Sequence, residues 1–130
     1  MKLAVLGAHL SGLPLNGQLT ERNAKLVRTA TTKNCYRLYA LPGTVPPKPG
    51  MMRVAETLET GIELEVWELG HAEFGTFVEL IPAPLCIGTV ELEDGEKVKC
   101  FLVEGCAVAG ATDITHFGGW RAYMKSRANG

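Results

Sequence analysis

The feature that most constrains this chain is its N-terminal segment, where a short apolar run meets a glycine-rich loop. Lys2–Leu6 is too short for a helix and is stopped by Gly7, which predicts a buried strand. The loop that follows combines glycine and proline with His9 and Ser11, ahead of a polar, helical segment over residues 18–22. Such a loop exposes backbone N–H groups at a sheet edge, where they can bind an anion. We therefore expect the functional site here.

Length and composition are those of one globular unit. The chain has 130 residues, of which 46% are hydrophobic and 21% charged, and we predict a single domain over residues 1–130. The formal net charge of −1 gives no reason to expect nucleic acid or an anionic membrane as a partner. No apolar run approaches the roughly 20 residues that span a bilayer, and no signal peptide is recognised. We expect a cytoplasmic protein.

The spacing of cysteine and histidine does not predict a metal site or disulfides. The four cysteines contain no Cys-x-x-Cys pair, and His71 and His116 are not spaced as metal ligands. Cys35, Cys86 and Cys100 lie among apolar residues and are interpreted as buried. His71 is predicted to begin a helix at the surface. We expect no metal and no cofactor.

The periodicity of the sequence predicts an α+β fold class. Ile62–Leu69 is predicted as a strand with one solvated face, because apolar and polar residues alternate over residues 62–66. Glu93–Glu96 predicts a hairpin turn through its Asp-Gly pair, and the proline-rich residues 41–51 predict a rigid loop. The predicted strands are Lys2–Leu6, Ala24–Leu41 with a bend near Thr31–Asn34, Met52–Ala55, Ile62–Leu69, Ile87–Leu92 and Lys97–Glu104, and the predicted helices are Gly70–Leu80 and Gly118–Arg127. This order favours a small twisted mixed or barrel-like β-sheet with rim helices.

His9 is the strongest candidate for chemistry, because an imidazole beside a glycine-rich loop can move a proton near neutral pH. The alternative is a structural histidine whose ring binds loop carbonyls. Ser11 is interpreted as a hydrogen-bond donor to a carboxylate, since no nucleophile elbow surrounds it. Asn16 either joins the same site or caps the short helix that follows, and the cap is preferred.

Two basic residues elsewhere are candidate anion ligands. Lys48 lies within Pro46–Gly50, where prolines restrict the backbone and present the ammonium group at low entropic cost. A solvated surface charge is the alternative. Arg37 alternates with Tyr36 on its predicted strand, and on an inner face it would need a carboxylate partner.

Several irregular motifs resemble the C-terminal domain of allophanate hydrolases. The first is Gly-Ala-His-Leu-Ser-Gly-Leu-Pro-Leu-Asn at residues 7–16, followed by Gln18-Leu19. The further matching segments are Cys35–Gly43, Pro46–Gly50, Ile81–Val90 and Asp113–Arg121 with Tyr123. Together the motifs span nearly the whole chain. The amidase region that precedes this domain in the family has no counterpart in these residues.

The resemblance implies a γ-glutamyl cyclotransferase-like fold and the decarboxylation of N-carboxycarbamate. This dianion is formed in allophanate and urea degradation when an amidase removes ammonia. By the same resemblance, His9 matches a functional histidine, the substrate is a small dicarboxylate, and an amidase or a urea carboxylase is the expected partner. Cyclotransferase activity itself is not expected, because Ile81 falls where those enzymes carry a catalytic glutamate.

The expected site combines His9, as proton donor, with groups that hold the spectator carboxylate. The expected substrate-binding residues are Leu10, Ser11, Gly12, Leu13, Pro14, Leu15, Asn16, Arg37 and Lys48. Among them the backbone N–H groups of Ser11–Leu15 and the Lys48 ammonium group are the expected anion ligands. A proton delivered to the nitrogen from which CO2 departs typically accelerates such a step by roughly 10²–10⁴-fold. The alternative is a non-catalytic module that binds a small carboxylate or assembles with an amidase. The oligomeric state is not predicted.

Overall fold

Strands and helices alternate along the chain in an α+β fold. The computed structural model describes residues 1–129. Within them the strands are β1 (Lys2–Val5), β2 (Lys25–Thr31), β3 (Tyr36–Ala40), β4 (Pro49–Arg53), β5 (Glu63–Glu68), β6 (Leu85–Glu91), β7 (Lys97–Val103) and β8 (Thr112–Asp113). The helices are α1 (Gly17–Thr20), α2 (His71–Glu79) and α3 (Trp120–Asn129), and 3₁₀ turns span Gly105–Ala107 and Thr115–Phe117.

The larger sheet is mixed and has β1 at its centre. Its strand order is β2-β5-β1-β7-β6, with β1 antiparallel to β5 and parallel to β7. Leu3, Ala4 and Val5 are all fully buried. A strand covered on both faces is apolar without alternation, which explains the N-terminal run. This strand delivers the loop that begins at Leu6 to one end of the sheet.

The two edge strands of the larger sheet meet at one end. Thr32, which follows β2, bridges Leu92, which follows β6, and the N–H of Lys33 donates to the carbonyl of Glu91 at 3.0 Å. Arg28 adds ion pairs to the same β6–β7 hairpin. The twisted mixed sheet is therefore as predicted. Within residues 1–129 its contact between the edges is local, and the sheet forms no closed barrel.

The smaller sheet is antiparallel in the order β4-β3-β8. The segment predicted as one long strand, residues 24–41, divides between the two sheets at the predicted bend. β4 begins at Pro49, inside the segment predicted as a loop, because proline is tolerated as the first residue of a strand. β8 was not predicted, since two residues carry no readable alternation.

One buried apolar cluster joins both sheets with α2 and α3. Phe77 of α2 and Tyr36 of β3 are fully buried, and Trp120 of α3 is 3% exposed. Cys100 is buried as predicted, and its burial raises the pKa of its thiol. The prediction of burial was wrong for Cys86, which is exposed because β6 is an edge strand.

The helix bounds lie within a few residues of those predicted. α2 begins at His71, which is exposed at the surface as expected. None of the helices in the described part of the chain is long and apolar enough to cross a membrane. Among residues 1–129 no group of three or more His, Cys, Asp or Glu side chains is arranged to hold a metal ion.

Candidate functional site

The loop after β1 folds into successive turns that bond mainly to themselves. The N–H of Leu10 donates to the carbonyl of Gly7 at 3.0 Å, and that of Leu15 donates to Ala8 at 2.8 Å. The amide group of Asn16 donates to the carbonyl of His9 at 2.8 Å. Leu15 and Asn16, at the end of the loop, thus hold the backbone of Ala8 and His9 at its start.

Most of the expected backbone ligands in this loop are used for other bonds. The N–H of Ser11 donates to Glu65 at 2.9 Å, that of Leu13 to Leu10, and Pro14 has no N–H. Among the described residues, the N–H groups of residues 7–9 donate no hydrogen bond. The backbone N–H groups of residues 7–16 left without a partner among the described residues are therefore those of residues 7–9, at the start of the loop, and that of exposed Gly12.

The side chains of the loop divide between the core and the surface. Leu10 is 2% exposed and Leu13 packs against the core, so neither lies where a polar substrate could bind. Gly12 is exposed with a φ of 79°, and no other atom lies within 4 Å of the point where a Cβ would stand. Glycine is thus required here for the left-handed backbone and not for close approach of a ligand.

Asn16 occupies the cap position of α1 without acting as a side-chain cap. Its backbone is helical and its side chain makes no capping hydrogen bond. The amide group is used for His9 instead. The preferred prediction was therefore wrong in its chemistry, because the side chain stabilises the loop rather than the helix.

His9 is held as a buried ring between aromatic side chains. It is 8% exposed, stacks on Phe101 with ring centroids 5.0 Å apart, and meets Phe77 edge-on at 5.2 Å. Its Nε2–H donates to Oε1 of Gln18 at 2.8 Å, which leaves Nδ1 as the acceptor nitrogen of the neutral ring.

The surroundings of His9 favour its uncharged form. Burial lowers the pKa of His9 below its usual value, the hydrogen bond to Gln18 opposes this, and the positive charge of Lys48 adds to the lowering. Lys48 lies near the ring, since both residues line the same cleft.

Lys48 lies at the end of the proline-rich loop, directly before β4. The loop is closed by a hydrogen bond from Leu41 N–H to the carbonyl of Lys48 at 3.1 Å, and the N–H of Lys48 donates to Oγ1 of Thr44 at 2.9 Å. Lys48 takes part in none of the ion pairs found among the described residues. Its charge is available to a bound anion.

His9 and Lys48 line one cleft with largely apolar walls. The cleft has a volume of about 160 Å³ and shares His9 and Lys48 with the lining of a smaller chamber of about 20 Å³, beside the backbone of residues 6–9. The lining residues of the cleft are His9, Leu15, Gln18, Val45, Pro46, Lys48, Leu80, Ile81, Pro82, Leu85 and Phe101. No carboxylate is among them, and Ile81 stands in the wall. The cleft can therefore attract a small anion.

Arg37 lies outside this site, contrary to the sequence expectation. Its guanidinium group pairs with Glu56 at 3.1 Å and with Asp113 at 2.9 Å. The three residues belong to the smaller sheet and its surface, and Arg37 lines a separate shallow hollow with His116. Strand alternation raised the need for a carboxylate partner but could not show that Glu56 and Asp113 supply it at the surface, away from the cleft.

The sequence interpretation missed three residues that shape the site. Gln18 fixes the ring of His9. Glu65 and Arg121 form an ion pair of 3.1 Å beside the loop. Gln18 and Arg121 lie in the motifs that resemble the allophanate hydrolase domain, and this position could have marked them as site residues. Glu65 gave none, since its position on an alternating strand predicts exposure, whereas it is 5% exposed.

Comparisons with known proteins cover nearly the whole chain. The family described as the allophanate hydrolase C-terminal domain matches residues 1–125. Urea amidolyase of Saccharomyces cerevisiae is 48% identical over 128 residues, which are 96% of this chain and 7% of that protein. Allophanate hydrolase of Kluyveromyces lactis is similar with a TM-score of 0.92 and 47% identity, over 96% of this chain and 21% of that chain.

A solved relative of similar size also matches. A uropathogenic E. coli-specific protein has a TM-score of 0.87 at 35% identity, over 95% of this chain and 94% of that chain. The chain thus spans only a small part of the two yeast proteins and almost all of the bacterial one. The extent and identity of these matches agree with the motifs and with the fold. The chain belongs to the allophanate hydrolase C-terminal domain family.

Proposed function

We propose that the cleft binds N-carboxycarbamate and that the protein decarboxylates it, with His9 as the proton donor. The observation that carries this proposal is the pairing of a buried imidazole with an unpaired ammonium group, in a cleft lined by no carboxylate. Such a cleft suits a small molecule with negative charge at both ends. The names of the relatives, urea amidolyase and allophanate hydrolase, support a place for this chain in the degradation of urea or allophanate.

Binding is assigned to two kinds of donor at the inner end of the cleft. Lys48 attracts the spectator carboxylate as a point charge, and the open N–H groups of residues 7–9 hydrogen-bond to it. The carboxylate that departs lies against apolar walls that include Ile81 and Phe101. Those walls offer it no hydrogen bond but accept neutral CO2, so they favour the product of the step over the charged reactant.

The proposed step breaks one C–N bond and transfers one proton. The electron pair of that bond stays on nitrogen, which takes a proton from His9, and CO2 leaves, so that the dianion plus one proton gives carbamate and CO2. His9 then regains its proton from water. Since Nε2 is engaged by Gln18, the transferred proton is the one that Nδ1 carries in the imidazolium form.

The charge of the substrate supplies the protonated form of His9. In the protein alone, burial lowers the pKa of His9, and the ring is uncharged at neutral pH. A dianion beside the ring opposes this lowering, because an opposite charge within about 4–6 Å favours the imidazolium form. Binding and protonation are therefore coupled, and the imidazolium form of His9 arises when the dianion binds beside it.

Calorimetric titration with malonate, a stable dicarboxylate, tests the binding step. We expect Lys48→Met to weaken binding by at least about tenfold, the usual size of one lost charged hydrogen bond. The matched control, Lys25→Met on exposed β2, should leave binding unchanged. Absence of binding by the wild type at millimolar malonate would contradict the proposal.

Turnover is tested by adding the protein to an amidase that lacks its own C-terminal domain. The protein should accelerate CO2 release from allophanate and leave the first release of ammonia unchanged, and His9→Asn should abolish the acceleration. If the domain is instead an assembly module, CO2 release will be the same with and without it, while the stability or oligomeric state of the amidase will change.

A further inference from the structure

We propose that Glu65 and Arg121 are positioning residues that fix the loop of His9 from the last helix of the chain. The two residues form an ion pair around Ser11, and we call this group of three the Ser11 clamp. The inference rests on the proposed function, since it explains how the binding geometry of the cleft is maintained. Neither Glu65 nor Arg121 lines the cleft itself.

The clamp engages every polar group of Ser11. Oε1 of Glu65 accepts hydrogen bonds from the Ser11 N–H at 2.9 Å and from Ser11 Oγ at 3.0 Å. Nη2 of Arg121 donates to the Ser11 carbonyl at 2.8 Å and to Oε2 of Glu65 at 3.1 Å. Trp67 donates a further hydrogen bond from Nε1 to Oε1 of Glu65 at 3.2 Å. The Ser11 peptide groups are thereby held in one orientation.

The clamp is also the hydrogen-bonded link between the loop and the rest of the fold. Among the residues that the structure describes, the other hydrogen bonds of residues 7–16 run within the loop or to α1, which directly follows it. Within residues 1–129, only the clamp connects the loop by hydrogen bonds to β5 and to α3. Because Ser11 lies two residues after His9, movement of Ser11 would shift the ring and the open N–H groups before it.

The energetic character of Glu65 fits a positioning role better than a contribution to stability. A carboxylate that is 5% exposed loses much of its hydration, and a buried ion pair is often no more stabilising than apolar packing in its place. What the arrangement does supply is a specific geometry, with four donors directed at one carboxylate.

The start of α3 places Arg121 at the loop. The N–H of Glu63 donates to the carbonyl of Gly118 at 2.8 Å, and Trp120 is buried in the core. These contacts fix the first turn of α3 against β5. Arg121 follows directly and keeps 41% of its side chain exposed, so that its replacement should leave the core intact.

Arg121→Met tests the clamp, with Lys125→Met on the exposed surface of α3 as the matched control. We expect Arg121→Met to weaken malonate binding by about tenfold, to shift the NMR titration of His9, and to speed hydrogen exchange of the Ser11 amide. Arg121→Lys should restore part of each property, whereas a purely stabilising residue would change only the melting temperature. Glu65→Gln is a second variant of nearly equal volume and should act in the same direction.

The outcomes separate this inference from the proposed function. Lack of malonate binding by the wild type contradicts the proposed function, and the clamp is then judged on the His9 titration and the Ser11 exchange rate, which need no ligand. If folded Arg121→Met matches the wild type in both of those properties, the positioning role is wrong.

Discussion

Among single residues, His9 is the most informative, because its burial lowers the pKa of the ring and so favours the uncharged form. We predict that the pKa of His9 in the protein alone lies below 6.5, since burial disfavours the imidazolium form. Saturation with malonate should raise it. Two-dimensional NMR of the imidazole ring over a pH series measures both values. A pKa that malonate leaves unchanged would contradict the coupling of binding to protonation.

Gln18 should set both the tautomer and the basicity of His9. Gln18→Glu replaces an amide oxygen with a charged carboxylate at the 2.8 Å contact with Nε2, so the pKa of His9 should rise. The same variant should bind malonate less tightly at pH 8, because it adds negative charge to the cleft. NMR and calorimetry check the two effects. Glu21→Gln, which changes an exposed carboxylate near the same helix, should change neither.

Gly12 contributes a backbone conformation that other residues adopt at a cost. Gly12→Ala should lower the free energy of unfolding by about 1–2 kcal/mol, because the new side chain destabilises the left-handed conformation. Gly17→Ala is the control, since Gly17 also has open space around it but no positive φ, and alanine favours the helix it begins. Urea denaturation measures both. Equal losses in the two variants would show that φ at Gly12 is not the cause.

At the level of strands and helices, local sequence patterns predicted positions well and burial less well. The alternation of residues 62–66 located β5, but it assigned Glu65 to solvent. The loop after β1 and α3 cover that face, and the partner Ser11 is 54 residues away, so no local pattern shows the contact. For the same reason the N-terminal motif predicted the candidate site but not which N–H groups are without a partner. The sequence also suggested that Lys48 is held by its neighbouring prolines, because their effect on the backbone is local.

The segment between α2 and β6 forms the apolar wall of the cleft, and its chemistry should control anion binding. Ile81→Asp should weaken malonate binding by roughly tenfold or more, because it places a negative charge beside the bound anion. Two like charges about 4 Å apart repel by about 1 kcal/mol in water and by about 4 kcal/mol near a protein surface. Val78→Asp on α2 is the control, since Val78 is already partly exposed and does not line the cleft. Calorimetry at constant ionic strength makes the comparison. Equal weakening in both variants would indicate a long-range charge effect instead of a wall contact.

For the molecule as a whole, the lowered pKa of His9 makes folding stability depend on pH. Below its unfolded value of about 6.5, the unfolded chain binds a proton that the folded ring resists. Stability from this group is therefore complete above that pH and is lost as the pH falls toward the folded pKa, by at most about 1.4 kcal/mol per pH unit. Urea denaturation at pH 7.5 and 5.5 should show the loss. His9→Gln should reduce this loss, and an undiminished loss in His9→Gln would assign it to other groups.

The Ser11 clamp has a consequence for how the protein is made. Its two sides are 110 residues apart in the chain, and contacts between such distant residues form late because a long loop of chain must first be closed. During synthesis the binding loop emerges from the ribosome 110 residues before Arg121. We expect a nascent chain that lacks α3 to contain His9 and Lys48 without fixing their relative positions. We therefore expect it to bind malonate only after α3 has been synthesised and has packed against the loop.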